Sequence, residues 1–556
     1  MATGYNLEDY ETVRESFSWE NIYAEADWDA PESINIAHEV CDRHVADGDR
    51  IALRQVGVDG ESRTLTFEEL TERSNRFANV LGDLGVERGE RVFTYMPRIP
   101  EHYVALVGTL KHGAVFGGIN ERFGPDGISY RLADCDASVL VTTSDNRETV
   151  AEALSDAPSV ERVLVVDRGD GVESDEVDLE TALEDASPTY DTVRTNGEDD
   201  ALLYYTSGTT GPAKGVLHKH RWVTGVAATQ HFATDLREDD LYWSTGDLGW
   251  LTGPINTLGA WFWGTSLFTY EGEFDPETWA ELLDEYPISV LFSVPTAYRM
   301  LRENEGLLEG VDLDLRHALS IGEPLSAGVV EWGEETLGVT IHDTYGQTET
   351  GNMIINNYPS MEVRPGSMGK PLPGITAEIV DPETGEPLEP GETGEIAQRG
   401  DYPCFFAEYW EKPEKTDGCF VNDWYLSGDL AHKDEDGYFW FEGRADDVII
   451  SSGYRIGPFE VESSLGEHPA VAEAAVVPKP DRQRGTIVKA YVVPSEAAEP
   501  SADLAEDIKN HVREELSAHE YPREIEFREE LPKTVTGKIR RTELQDDAAE
   551  EASEAA

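Results

Sequence analysis

A chain of 556 residues is two to four times the length of an average domain, so two or more folded units are expected. Hydrophobic residues at 39% and aromatics at 9% supply enough apolar side chain for large cores, which excludes a wholly disordered chain. With 44 basic against 111 acidic residues the formal net charge is −67, which argues against nucleic acid or an anionic membrane as the main partner, so a bound nucleotide must be held by local geometry.

From about residue 64 helical and strand periods alternate. Thr66 and Glu69 have the spacing of a capping box, and Leu70, Phe77, Leu81 and Leu84 recur at helical intervals up to Gly85. A strand-like run follows at 92–96, a second helical stretch after Pro100, an apolar run at 114–116, a polar helical stretch, and another strand at 139–141. Nearly continuous apolar strands between helices predict an α/β fold with mostly parallel sheets covered by helices. No fixed-period repeat is visible, which excludes a solenoid. The Asp-, Glu- and Ser-rich segment 169–200 reads as an acidic surface excursion ahead of a strand at 201–205.

Near Gly443 the texture changes to shorter elements: strands at 448–450, 471–477 and 487–493, and helices at 458–465 and 503–519. These predict a small, mobile α+β domain of about 100 residues. The expected organisation is a large domain over 1–443, a lid domain over 444–545, and a disordered acidic tail over 546–556.

The acids are spread along the whole chain, so their self-repulsion calls for screening, and the Debye length falls to about 3 Å near 1 M salt. This composition reads as adaptation to a salty cytosol of the kind found in halophilic archaea. Cys41, Cys135, Cys404 and Cys419 show no metal-ligand spacing and read as reduced thiols. No apolar run approaches the length of a membrane span, and the first residues lack the regions of a signal peptide, so a soluble, cytoplasmic protein without membrane insertion is expected.

The strongest local signal follows the strand at 201–205: Tyr204, Tyr205, Thr206, Ser207, Gly208, Thr209, Thr210, Gly211, Pro212, Ala213, Lys214, Gly215. Glycines let the backbone approach a ligand, successive N–H groups and hydroxyls can surround phosphate oxygens, and Lys214 supplies a cation. It is not a Walker A loop: Ala213 stands where that motif needs Gly, and Gly215 where it needs Ser or Thr.

This string resembles the phosphate loop of the adenylate-forming superfamily, which contains acyl-CoA synthetases, adenylation domains and luciferases. Further motifs of that superfamily follow in order: Gly322-Glu323-Pro324; Asp343-Thr344-Tyr345-Gly346-Gln347-Thr348-Glu349; Ser427-Gly428-Asp429-Leu430; Gly443-Arg444-Ala445-Asp446-Asp447 with Ser452-Gly453-Tyr454-Arg455; and Pro532-Lys533-Thr534-Val535-Thr536-Gly537-Lys538. The similarity spans about residues 30 to 545, far more than a lone motif match would.

The resemblance implies ATP, Mg²⁺ and CoA as ligands and a small carboxylic acid as the activated substrate. ATP or AMP would lie against Thr206, Ser207, Gly208, Thr209, Thr210, Gly211 and Lys214, against Gly322, Glu323 and Pro324, and along Asp343, Thr344, Tyr345, Gly346, Gln347 and Thr348. Asp429 would take the ribose hydroxyls, helped by Arg444, with Arg455 also at the nucleotide. Glu349 offers the hard oxygen that Mg²⁺ prefers. Thr206, Lys214, Glu349 and above all Lys538 would carry catalysis, the last by neutralising charge on the α-phosphate and the attacking carboxylate. A surface cation is the bland reading of Lys538, but only about a dozen of the 44 basic residues are Lys, and two of those fall in this Thr/Gly loop.

Asp446 is implied as the hinge about which the lid turns, with Gly453 and Tyr454 then facing CoA. Trp250, Leu251, Thr252, Ile321 and Gly346 are implied as the acyl pocket. Acetate-specific members carry Trp at the position of Gly346 and the medium-chain type carries Gly, so the resemblance implies a short- to medium-chain acid, with acetyl-CoA synthetase proper as the alternative. His218 and His220 have H-x-H spacing but no third ligand in view, and read as structural or pocket-lining.

The implied reaction has two steps: carboxylate attack on the α-phosphate gives an acyl-adenylate and pyrophosphate, and CoA then displaces AMP. No covalent nucleophile is needed; catalysis is positioning and electrostatics. Three rivals share parts of the pattern. A carrier-dependent adenylation domain is separated by acyl transfer to free CoA, a luciferase-like oxygenase by light or oxygen uptake, and a non-catalytic nucleotide sensor by the retention of Lys214, Glu349, Asp429 and Lys538.

Overall fold

Strand residues such as Val92, Phe93 and Tyr95 are almost wholly buried, because the strand that carries them lies between two parallel neighbours and under helices on both faces. The computed structural model describes residues 4–24, 33–166, 176–206, 212–304, 306–400, 402–445, 447, 449–451, 454–481, 485–495, 498–516, 521–533 and 539–554. The chain divides into two units, one of residues 1–376 and 399–420, the other of 377–398 and 421–556.

The first unit holds two sheets. One runs through β1 (Ile51–Val56), β8 (Leu241–Ser244), β9 (Ser266–Tyr270), β10 (Val290–Ser293), β11 (His317–Ser320), β12 (Ile341–Gln347) and β13 (Asn352–Asn356), in the spatial order β13, β12, β11, β10, β8, β9, β1. From β1 to β12 neighbouring strands are parallel; β13 then turns back antiparallel on β12. The other sheet is built from β2 (Arg91–Tyr95), β3 (Val115–Gly118), β4 (Val139–Thr143), β5 (Arg162–Val166), β6 (Asp200–Thr206), β7 (Lys214–Lys219) and the two-residue β14 (Glu408–Tyr409). Its order is β14, β7, β6, β3, β2, β4, β5, with β7 antiparallel to both of its neighbours, β6 and β14.

The expected capping box opens helix α1 (Phe67–Asp83): the Glu69 amide donates to the Thr66 hydroxyl, and the Thr66 amide donates to the Glu69 carboxylate. Helices α2 (Pro100–His112) and α3 (Pro125–Asp134) occupy the predicted intervals between β2, β3 and β4. The acidic excursion carries more structure than its composition suggested. A strand at Glu176–Asp178 adds parallel to β5, and a helix at Leu179–Asp185 follows with Leu179 fully buried.

The second unit begins earlier than the 443/444 boundary read from sequence, because strands Ala377–Val380, Gly394–Gln398, Trp424–Lys433 and Phe439–Arg444 pair antiparallel with one another. Its α+β part follows the expected order: strands Ile449–Ser451, Val471–Asp481 and Gly485–Pro494, and helices Pro458–Glu467 and Ala502–Glu515. Positions 448 and 517–519 of the sequence reading lie outside the described residues.

The tail reading needs correction. Residues 541–554 form a helix, Arg541–Glu554, with Leu544 and Ala548 fully buried against Ala475, Val477 and Tyr491. Glu551 is held by Lys479 at 2.9 Å and Lys489 at 2.7 Å. Two apolar residues at i and i+4 and two paired acids, Glu551 and Asp547, the latter 3.0 Å from Arg528, are enough to dock an Ala-rich segment whose average hydrophobicity is low.

Candidate active site

In a parallel sheet the carboxyl ends of the strands present unpaired backbone and loops, and ligands settle there. The loops after β8, β10, β11 and β12 therefore mark one edge of the first sheet, and they carry Thr245, Val294, Gly322 and Thr348. The loop after β8 docks on the second sheet: the Tyr204 hydroxyl of β6 donates to the Leu248 carbonyl at 2.9 Å. The end of β3 lies so close that a Cβ on Gly118 would stand 2.0 Å from the Leu248 oxygen. The carboxyl ends of the two sheets thus meet in one place.

Thr206 ends β6 and Lys214 opens β7, and the two are register partners. The strand pairing brings both roots of the phosphate loop together. Each root is pinned: the Tyr205 hydroxyl donates to Asp134, 3.0 Å away, Lys412 holds the same carboxylate at 2.7 Å, and the Tyr130 hydroxyl donates to the Ala213 carbonyl at 2.7 Å. Ser207, Gly208, Thr209, Thr210 and Gly211 lie outside the described residues.

Glu349 follows β12 and is buried. Its Oε1 accepts from the Tyr409 hydroxyl at 2.7 Å, and its carbonyl accepts from the Phe406 amide at 3.0 Å. The ammonium of Lys214 lies 4.0 Å from the centroid of the same Tyr409 ring. Burial first, and the Glu349 carboxylate second, push the Tyr409 phenol far above its ordinary range, so it stays a donor at working pH. Among the described residues no group of three or more His, Cys, Asp or Glu could hold a metal. A lone buried carboxylate with one oxygen free of hydrogen bonds from described residues fits Mg²⁺, which needs few protein ligands when substrate phosphates supply the rest.

Asp343 and Thr344 sit on β12, both buried. Burial drives the Asp343 carboxyl well above the carboxylate range, against the opposing hydrogen bond from the Thr344 amide. The Thr344 hydroxyl donates to the Ser320 carbonyl at 2.7 Å, tying β12 to the end of β11. Gly322 turns the chain after β11 at φ 90°, and Glu323 accepts from the hydroxyl of Thr296 at 2.6 Å and from Arg299 at 2.9 Å. Both partners belong to helix α5 (Pro295–Glu303), with α4 (Thr252–Phe262) earlier in the chain. Pro324, Tyr345, Gln347 and Thr348 are half-buried in the same region.

Leu251 and Ile321 are buried, and Thr252 begins α4. The Trp250 ring packs on Phe123, centroids 5.4 Å apart. Gly346 has a reason to be glycine besides an open pocket. A Cβ there would stand 2.1 Å from the Asn352 carbonyl oxygen of β13, where the β12–β13 register shifts. A Trp at this position therefore requires β13 to move.

In the second unit Asp429 and Arg444 are cross-strand partners, and Arg444 Nη1 donates to Asp429 Oδ1 at 2.9 Å. The two residues implied at the ribose thus meet directly. Tyr454 and Arg455 lie on the strand Tyr454–Ile456, whereas Asp446, Gly453 and Lys538 lie outside the described residues.

The H-x-H pair is structural. His218 and His220 are fully buried, and burial holds each down to about 3. Such a histidine is neutral when folded and protonates on unfolding, so its stabilising effect is full above pH 6.5 and is lost as pH falls toward 3. Among the described residues neither ring nitrogen of His218 meets hydrogen-bond geometry, and the opposing backbone groups of Thr348 and Cys404 do not offset its burial. We expect His218→Leu to remove about 2 kcal/mol of the stability that the native chain loses between pH 7 and pH 5, read by denaturant unfolding at both pH values. An unchanged pH slope would show that His218 protonates freely in the fold.

The chain matches AMP-binding enzymes over residues 41–410 and the AMP-binding enzyme C-terminal domain over 460–538. It is 41% identical over 547 residues to the acetyl-coenzyme A synthetase of Bacillus subtilis (strain 168), covering 97% of this chain and 95% of that one. The chain belongs to the AMP-binding enzyme family. Another relative of this AMP-binding enzyme is the mitochondrial acyl-coenzyme A synthetase ACSM4 of Rattus norvegicus, 39% identical, with 93% of this chain and 91% of the relative covered. The crystal structure of the anthranilate CoA ligase AuaEII in complex with anthranoyl-AMP superposes with a TM-score of 0.87 at 30% identity, covering 95% and 99% of the two chains.

The expected α/β fold with a large and a small domain is thus the family's own. This AMP-binding enzyme is a ligase that forms an acyl-CoA from an acid, ATP and CoA through an acyl-adenylate. No described helix is long and apolar enough to cross a membrane. Sequence reasoning missed Tyr409, Tyr130, Asp134, Lys412, Thr296 and Arg299. The aromatic run from Tyr402 to Trp410 in an acid-rich chain was the one signal available for Tyr409.

Proposed function

We propose that the acid is a short- to medium-chain carboxylate, that Mg²⁺ accompanies ATP at Glu349, and that the enzyme works in a salty cytosol. The observation that supports this most is the convergence of Lys214 and Glu349 on one buried tyrosine where the carboxyl ends of both sheets meet. Such a pair offers a cation to phosphate oxygens and a hard oxygen to a metal. When bound, the metal, held by Glu349, would offset charge on the phosphates.

In this reading the acid's carboxylate attacks the α-phosphate while Lys214 and the loop from Thr206 to Gly211 hold the departing pyrophosphate. Asp429 and Arg444 hold the ribose, Asp343 to Thr348 line the adenine, and Lys538 offsets charge at the α-phosphate. The lid from residue 444, hinged at Asp446, then presents Gly453 and Tyr454 to CoA. Three of the four free cysteines are buried, which supports a reducing, cytoplasmic setting.

The acyl pocket is assigned to Trp250, Leu251, Thr252, Ile321 and Gly346. Each methylene packed there contributes about 0.8 kcal/mol, so a few extra carbons favour longer acids over acetate by roughly one to three orders of magnitude in kcat/KM. A second reading, acetate itself, is favoured by the name of the Bacillus subtilis relative and by the bulk of Leu251 and Ile321. A panel of acids from acetate to octanoate, with ATP, Mg²⁺ and CoA in molar KCl, decides between them. AMP, pyrophosphate and acyl-CoA are expected in equal amounts; ADP and phosphate would overturn the assignment.

A further inference from the structure

Lys214 and Glu349 carry opposite charges and both converge on Tyr409. Left to themselves a lysine and a carboxylate in a half-dry site pair and cancel, which would withdraw the cation from phosphate and the oxygen from a metal. They do not pair here: among the described residues Lys214 forms no ion pair with a carboxylate, and its ammonium rests on the aromatic face instead. The same ring directs its hydroxyl edge to Glu349 Oε1.

Tyr409 is itself firmly held. It is 2% exposed, its residue pairs with Val216 two places beyond Lys214, and its amide donates to the Thr416 hydroxyl at 2.9 Å. Its neighbour Phe406 fixes the Glu349 main chain. One short segment, 406–409, therefore sets both the backbone and the side chain of the metal-binding acid.

We propose that Tyr409 is a positioning residue that orients the Glu349 carboxylate for the metal of the ATP complex and holds Lys214 apart from it. The inference rests on the reading of Glu349 as the metal ligand. Removing the hydroxyl frees the carboxylate to rotate, and removing the ring lets the two charges meet.

The test reads metal binding without turnover: Mn²⁺ affinity of the enzyme–ATP complex, by electron paramagnetic resonance in the absence of acid and CoA. Tyr409→Phe is expected to weaken Mn²⁺ about tenfold and to raise the Mg²⁺ needed for half-maximal ATP–pyrophosphate exchange by a similar factor. Its melting temperature and its conversion of supplied acyl-adenylate and CoA to thioester are expected to stay near native values. Glu349→Asp, too short to reach the hydroxyl, should weaken Mn²⁺ alike, and the double variant should be no worse than Glu349→Asp alone. Native Mn²⁺ affinity in Tyr409→Phe, or additive losses in the double variant, would overturn the proposal. Glu349→Gln separates the premise: if it too binds Mn²⁺ normally, the metal assignment itself fails.

Discussion

Lys538→Ala is expected to slow acid-dependent ATP–pyrophosphate exchange by roughly 10²- to 10³-fold, while leaving the conversion of supplied acyl-adenylate and CoA to thioester within about twofold of native. The reason is that only in the first step is the α-phosphate itself attacked, by a carboxylate that brings a further negative charge up to it. A preorganised ammonium in a water-excluded site stabilises that charge by several kcal/mol, about the cost of losing one such donor. In the second step the phosphate leaves as AMP, and the proposed hinge at Asp446 has by then turned the lysine away. Equal losses in both half-reactions would show that Lys538 supports the fold of its domain, or that it serves both steps.

The second large effect is on salt. The 111 acids outnumber the 44 basic residues by 67, so an excess of negative charge stays uncompensated within the chain even where one basic residue serves two acids. The cations that are present are concentrated in partly buried pairs, such as Arg316 with Asp235 and Asp240, where salt screens little. Raising KCl from about 0.1 M to 2 M therefore removes repulsion among exposed acids while sparing those pairs, and should stabilise the chain by several kcal/mol. For a protein of this size, at about 1 °C per kcal/mol, that is a rise in melting temperature of roughly 5 °C, with activity recovering in parallel. Full activity and an unchanged melting temperature in dilute buffer would refute a salt-adapted surface.

What could be read from the sequence was what local physics encodes. The capping box at Thr66 and Glu69, the apolar runs of β2 to β4, and the glycine-rich string after β6 each depend on residues within a turn or a strand of one another. Pairings that close over long distances were out of reach. Tyr409 gains its role only when β14 meets β7, and the aromatic run from Tyr402 to Trp410 marks its neighbourhood without singling it out. The tail was misjudged because mean composition hid a two-residue apolar contact and two paired acids. The Asp429–Arg444 pair was foreseen as two neighbours of one ribose, yet the direct bond between them came from strand register, which composition does not reveal. Gly346 shows the opposite error, since its missing side chain was assigned wholly to the substrate when the neighbouring strand also demands it.

The strand β14 also bears on how the enzyme comes to life. It pairs with β7 from roughly 190 residues further along the chain, a closure that slows folding because distant segments must find each other before the contact rewards them. During synthesis the strands around the phosphate loop can assemble long before residue 409 has been made. The tyrosine that separates lysine from glutamate arrives among the last parts of its unit, so helices and sheets would appear during refolding well ahead of metal-competent enzyme. Secondary structure would then be a poor clock for recovered function, and the orientation of a single carboxylate would be the step that dates it.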